Sequence, residues 1–280
     1  MKTDDPHTVR LSSASIEAGG RTRTYTLATP EGGFDRLLLA FHGSRLNAAR
    51  FRAFTGNALD TVRGTAVAYL DGFRGNWNDA RAGSRFPART HGIDDVAFAD
   101  AVASRVGEGR PVYAVGYSNG GGMVIRLLHE RPDLIAGGAV IAAGQPAPDN
   151  FLLRDDDLPI EPRPVMIIHG TRDPVVPYDG GQLALWARYL FRAHGALLSA
   201  PDTAAYFAAR NGITAAPVTT SLTAEVTRTD HHQDGHEPVR LYTVHGGGHT
   251  IPGPVPSPAL IGRTTRDLHT GPAIEDFFGF

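Results

Sequence analysis

The segment Val112-Tyr113-Ala114-Val115-Gly116-Tyr117-Ser118-Asn119-Gly120-Gly121-Gly122 decides how this chain is read. Its first four residues form a short apolar run of the kind covered on both faces of a sheet, and Val124, Leu127 and Leu128 beyond the glycines share one face of a helix. The segment therefore reads as strand, sharp turn and helix, with Gly116, Ser118 and Gly120 spanning the turn. A serine on such a turn is held in a strained backbone conformation. Side chains two residues to either side would collide with the adjoining strand and helix, which gives both glycines a steric reason. With 33 glycines in 280 residues, a chance G-x-S-x-G arises roughly 0.14 times per chain, so the motif takes its weight from its place after a buried strand.

Working outward, the same buried pattern recurs at Leu37-Leu38-Leu39-Ala40-Phe41, Ala66-Val67-Ala68-Tyr69-Leu70, Ala139-Val140-Ile141-Ala142 and Val165-Met166-Ile167-Ile168. Helical spacing lies between these runs, over residues 48–62 and after Asp94-Asp95, where Phe98, Val102 and Val106 fall four apart. Residues 13–17 and 23–28 flank Gly19-Gly20 and read as an antiparallel hairpin. Ser199-Ala200-Pro201-Asp202 has the form of a capped helix start, so the spacing predicts a helix over 201–211 that stops at Gly212. Late strands at 222–228 and 239–244, joined by a polar loop, and a helix over 273–278 complete the pattern. Alternation of strand and helix implies an α/β architecture, a doubly wound, mostly parallel sheet with an N-terminal antiparallel hairpin, in one domain spanning 1–280. No internal repeat is visible, and the Pro- and Asp-rich stretch 145–164 reads as a surface connection.

Composition excludes several classes. Hydrophobic residues at 41% and charged residues at 20% lie outside the disordered regime. A net charge of −2 with scattered arginines gives no basic stripe, so neither nucleic acid nor an anionic membrane is expected as a partner. The absence of cysteine removes disulfides, thiolate catalysis and cysteine-ligated zinc. Met1-Lys2-Thr3-Asp4-Asp5-Pro6-His7 is polar and precedes no apolar run of signal-peptide length, and no stretch reaches the roughly 20 apolar residues of a membrane helix. A cytoplasmic location is the expectation, although a chain trimmed of its leader would look the same.

A serine hydroxyl needs a base, and the base needs a carboxylate to hold its tautomer. In strand-turn-helix sites of this kind the order is serine, acid, histidine. Asp173 stands in the loop after the apolar run 165–168; a plain turn aspartate before Pro174, or Asp179 as the acid, are the alternatives. His249 follows Gly246-Gly247-Gly248 after the last strand, with His245 as its competitor. His42 and His169, each before a glycine at a strand end, read as structural. His231, His232 and His236 with Asp230 and Asp234 could suggest a metal, but their predicted hairpin loop favours a solvated turn, and no metal is expected. The oxyanion donors fall at the N–H groups of Asn119 and Ser44, the second from a turn, Gly43-Ser44-Arg45, that could present either of two N–H groups.

With these residues in place, the chain resembles the α/β-hydrolase esterases that include polyhydroxybutyrate depolymerases and feruloyl or acetyl-xylan esterases. The resemblance rests on Leu39-Ala40-Phe41-His42-Gly43, Trp77 ahead of Asp94-Asp95-Val96-Ala97-Phe98, residues 116–121, His169-Gly170-Thr171-Arg172-Asp173-Pro174-Val175-Val176-Pro177-Tyr178, residues 199–212 and residues 246–253. It implies an acyl-enzyme mechanism without metal or organic cofactor. The implied substrates are small or polymeric esters of polyhydroxyalkanoate, feruloyl, acetyl or other small acyl type. It also implies that Trp77 stands near the substrate entrance, the alternative being a loop anchor buried by its own bulk. Two departures are visible: no cysteines near the site, and Ile251 where an aromatic residue often follows the histidine by two places. Ester hydrolysis is the leading function; acyl transfer from the same acyl-enzyme and a non-catalytic binding module are the other classes.

Residues 182–194 hold Leu183, Leu185, Trp186, Tyr189, Leu190 and Phe191, with Arg188 and Arg192 marking a polar stripe. Within a segment 180–198 that follows Asp173, they read either as a packed helix or as a flap in which Trp186 lines the acyl pocket.

Overall fold

A computed structural model describes residues 8–153, 160–191 and 193–280. The chain opens with β1 (Val9–Ala18) and β2 (Arg21–Pro30), an antiparallel pair whose tight turn runs through Gly19 and Gly20 at φ 56° and 72°. There follow β3 (Arg36–Phe41), α1 (Ala48–Phe54), β4 (Thr65–Leu70), α2 (Pro87–Thr90), α3 (Asp95–Val102), β5 (Val112–Tyr117), α4 (Asn119–Glu130), β6 (Gly137–Ile141) and β7 (Val165–Gly170). A short insert carries β8 (Gly181–Gln182), α5 (Leu185–Phe191) and β9 (Ala196–Leu197). After it come α6 (Ala200–Arg210), β10 (Val218–Ser221), β11 (Val226–His231), β12 (Val239–Val244) and α7 (Thr270–Phe278).

Among the described residues, ten strands form one sheet in the order β1-β2-β4-β3-β5-β6-β7-β12-β11-β10, and β8 pairs separately with β9. The central block from β4 to β12 is parallel, with antiparallel pairing outside it on both edges. Successive side chains of a strand point to opposite faces, so Leu37, Leu39 and Phe41 enter one core while Leu38 and Ala40 enter another. Helices α3, α4 and α6 cover the first core, and α1 and α7 cover the second. From β3 the chain crosses to β4 on one side, and from β5 it crosses to β6 on the other. The order therefore reverses between β3 and β5, and the loops at their carboxyl ends flank the crevice where α/β sheets bind ligands.

Three sequence expectations shift. The helix over 48–62 stops at Phe54, because Thr55 folds its hydroxyl onto the Arg52 carbonyl and Gly56 and Asn57 take φ of 64° and 60°. The strand placed at 222–228 starts at Val226, since the Thr223 hydroxyl accepts from the N–H groups of Glu225 and Val226 and turns the chain, while exposed residues 218–221 supply an edge strand. The connection 145–164 does not lie wholly on the surface: Gln145 and Asn150 are buried, and the Asn150 amide joins Gly83 to Ala196. Residues 154–159 of that connection, and the N-terminal residues 1–7, lie outside the described residues. Among the described residues, no helix is long and apolar enough to cross a membrane.

Candidate active site

Ser118 closes the turn from β5 into α4 at φ 55° and ψ −118°, with its N–H on the Ile141 carbonyl and its own carbonyl taking the Gly122 N–H. A Cβ on Gly116 would stand 2.1 Å from the Gly120 oxygen, and one on Gly120 would stand 2.1 Å from the Phe41 oxygen. Both obstacles are backbone, so neither glycine has a substitute. The turn thus presses β5, α4 and β3 together and leaves the serine at the crevice.

His249 arrives from the loop after β12. Its N–H donates to the Ile261 carbonyl at 2.7 Å, and its carbonyl accepts the Tyr117 hydroxyl at 2.6 Å, so the residue before the serine grips the backbone of the histidine. The His249 Nε2 lies 2.9 Å from Ser118 Oγ, and Nδ1 lies 2.7 Å from Asp173 Oδ2. Asp173 follows the end of β7, and its other oxygen accepts the N–H groups of Val175 and Val176 at 2.8 and 2.9 Å. Burial pushes the Asp173 carboxyl up, but His249 and His169 beside it, with their hydrogen bonds, hold it well below the usual carboxylate range. A carboxylate only accepts, so Nδ1 of His249 carries the proton and Nε2 turns its lone pair toward the serine.

His169, read from sequence as structural, belongs to this site. Its Nε2 lies 3.0 Å from the Val176 carbonyl and 3.4 Å from Asp173 Oδ2, which fixes the proton on Nε2 and leaves Nδ1 buried without a partner among the described residues. Its signal in the sequence is a polar residue at the end of an apolar run, four places before the aspartate.

The second loop of the crevice follows β3. In the turn Gly43-Ser44-Arg45, the Arg45 N–H donates to the Gly75 carbonyl at 2.8 Å. The Gly43 carbonyl accepts the Leu46 N–H at 3.2 Å and the His42 ring nitrogen Nδ1 at 2.7 Å. Because Nε2 of His42 accepts the Gly72 N–H, the proton is on Nδ1, and burial lowers this imidazole to about 4, keeping it neutral. A trans peptide points its C=O and N–H in opposite directions. Pinning the Gly43 carbonyl therefore turns the Ser44 N–H away from His42, and of the two N–H groups of this turn it is the one not given to Gly75. The Asn119 N–H, first in α4, has no acceptor within its helix. Its side chain is fixed by Trp77, whose N–H and carbonyl it bonds at 2.8 and 3.2 Å, and by Asp79 at 2.6 Å. Asp79, fully buried and ion-paired to Arg81, was not singled out from sequence because nothing in its spacing marks it.

Trp77 does not stand at the entrance. It is fully buried, donates its indole N–H to the His42 carbonyl at 2.8 Å and packs on Phe41 and His42, so its bulk braces the turn from behind. Trp186 does reach the site: at 40% exposure it lines an open cleft together with Ser118 and His249, and its indole bonds the Pro174 carbonyl. Its helix, α5, exposes Leu185 and Tyr189 and buries Ala187 among Val175, Val176, Leu183 and Leu197, a small cluster apart from the two main cores. Arg192, the second residue of the expected polar stripe, lies outside the described residues. Asp179 is exposed, and His245 bonds Thr227 instead of the site. Among the described residues no three His, Asp or Glu side chains could hold a metal; Asp230 pairs with Arg228 and Arg240, and His236 bonds the Asn211 carbonyl.

A mostly parallel sheet wound on both faces, with a serine on the turn after β5 and a histidine and aspartate delivered to it by later loops, defines the class as an α/β-hydrolase. The chain is 33% identical over 294 residues to the "Putative esterase NocK" of Nocardia uniformis subsp. tsuyamanensis, a match spanning 95% of this chain and 82% of that protein, and it belongs to that esterase family. No family model matches. The acetyl xylan esterase from Aspergillus awamori shares the fold, with a TM-score of 0.60 at 15% identity over 96% of this chain and 99% of its own.

Proposed function

We propose that the chain is a serine carboxylic-ester hydrolase that works through an acyl-enzyme on Ser118. The observation that carries this reading is the unbroken hydrogen-bonded run from Ser118 Oγ through His249 to Asp173, at 2.9 and 2.7 Å. Ser118 Oγ attacks the ester carbonyl carbon and its proton passes to His249 Nε2, while Asp173 stabilises the imidazolium through Nδ1. The charge that develops on the carbonyl oxygen meets the N–H groups of Ser44 and Asn119. The alkoxy oxygen leaves with the proton from Nε2, and water then reverses the sequence to release the acid and restore the serine. The narrower resemblance to polyhydroxybutyrate depolymerases and feruloyl esterases offers hydroxyalkanoate, feruloyl and acetyl esters as candidate substrates. Ser118→Ala is expected to lower kcat on the order of 10⁶-fold with an unchanged unfolding midpoint, because losing one member disables the whole unit. A variant within about tenfold of the parent would remove Ser118 from the mechanism.

A further inference from the structure

Two recesses meet at Ser118, and they differ in size and in company. One is narrow and the more enclosed of the two: it lies against Asn119, Gly122 and Ala143 on one side and Val176, Leu183 and Leu197 on the other, with a volume of about 20 Å³. About 10–15 Å³ of such space holds one water molecule, so this recess takes one or two. Among the described residues its one charged wall, Arg81, is already ion-paired to Asp79. The other recess is an open cleft of about 250 Å³ lined by Phe54, Val175, Trp186, His249, Pro258 and Ile261, predominantly apolar.

The chemistry tells the two apart. When the tetrahedral intermediate collapses, the bond between the acyl carbon and the alkoxy oxygen breaks, and that oxygen must take its proton from His249 Nε2. The alcohol part of the ester therefore lies on the His249 side, which is the open cleft. The acyl chain, still bonded to the carbon held by Ser118, points into the recess that His249 does not line. We infer that the preferred ester has an acyl part of two or three carbons and a larger, apolar alcohol part, an inference that rests on the serine-esterase reading above. Trp186 then faces the alcohol and not the acyl chain, the reverse of the sequence expectation. A feruloyl group, or a hydroxybutyryl unit carrying further chain, exceeds the narrow recess as an acyl part.

Two substrate series on the parent enzyme decide the matter. In the first, the alcohol is p-nitrophenol and the acyl part runs from acetyl through butanoyl to octanoyl. In the second, the acyl part is acetyl and the alcohols, matched in acidity, run from ethanol to 2-phenylethanol and 2-(2-naphthyl)ethanol. Expected is a fall in kcat/KM of at least roughly tenfold from acetyl to octanoyl and a rise of at least roughly tenfold from ethyl to naphthylethyl, the lower end of what lost or gained apolar contact supplies. Octanoyl equal to or better than acetyl, or a flat alcohol series, would overturn the inference while leaving the esterase reading intact. Hydrolysis in neither series, or hydrolysis that survives Ser118→Ala, would instead overturn that reading. Two variants sharpen the assignment: Leu183→Ala should relax only the acyl series and Trp186→Ala should flatten only the alcohol series, whereas the reverse pattern would exchange the two recesses and sink the proposal. The parent series stand as the test if Leu183→Ala fails to fold.

Discussion

Two imidazoles border the site without touching Ser118: His42 holds the Gly43 carbonyl, and His169 faces Asp173. On the proposed mechanism His42 acts through the Gly43–Ser44 peptide, so its loss should tilt an oxyanion donor and leave the open cleft unchanged. His42→Ala is expected to lower kcat by up to about 10²–10³-fold, the range for losing one such donor, with KM altered little. His42→Asn, whose amide can donate as Nδ1 does, should recover part of the loss. An unchanged kcat in His42→Ala, measured by steady-state kinetics, would free the Ser44 N–H from this role. That Ser118, Asp173 and His249 come together in one hydrogen-bonded run was legible in the sequence because each follows an apolar run, in the order serine, acid, histidine. His42 and His169 were seen only as strand-end histidines, since their work depends on which carbonyl or carboxylate the fold sets opposite the ring.

The elements that could be read were those with an all-apolar stretch, such as β3, β5 and β7, or with a capping residue, such as Ser199 before α6. Misread elements had a competing local bond: α1 ends at Thr55, and β11 waits for the Thr223 turn. The two tryptophans show the same limit, because bulk alone does not say which side of a loop is wet. Trp77 is enclosed and hydrogen-bonded behind the β3 loop, while Trp186 leans from α5 over the cleft. Trp77→Ala should therefore cost roughly 3–5 kcal/mol of folding stability, as core tryptophans do, and Trp186→Ala clearly less than about 3 kcal/mol. Urea unfolding of both variants checks the pair, and equal losses would place α5 in the core.

Strand order was beyond the sequence, since period-two alternation says which residues are buried and not which strand lies beside which. It is that order, with β3 and β5 adjacent and the chain departing to opposite sides, that brings Ser44 and Ser118 to one crevice. The packed interior also sets a pH dependence. Burial lowers both His42 and His129 to about 4, and His129 is satisfied as a neutral ring by the Ile125 carbonyl and the Tyr206 hydroxyl. Above the unfolded value of about 6.5 neither state binds the protons. As pH falls from there toward 4 the unfolded chain takes them up first, so stability drops across that window, on the order of 2 kcal/mol per histidine by pH 5. Asp173, held low when folded, adds a further loss below about pH 4, where the unfolded carboxyl protonates first. Urea midpoints at pH 7.5 and 5 should fall for the parent and about half as much for His129→Gln; equal midpoints for the parent would mean that these rings are charged in the fold.

Covalent capture of the nucleophile is the most direct test of the mechanism. The enzyme is treated with a fluorophosphonate, digested and mapped by mass spectrometry, with residual ester hydrolysis followed in parallel. One adduct on the peptide containing Ser118, formed in step with the loss of activity and absent from Ser118→Ala, is the expected result. An adduct on another residue that abolishes activity, or full activity in protein already labelled at Ser118, would contradict an acyl-enzyme at this serine.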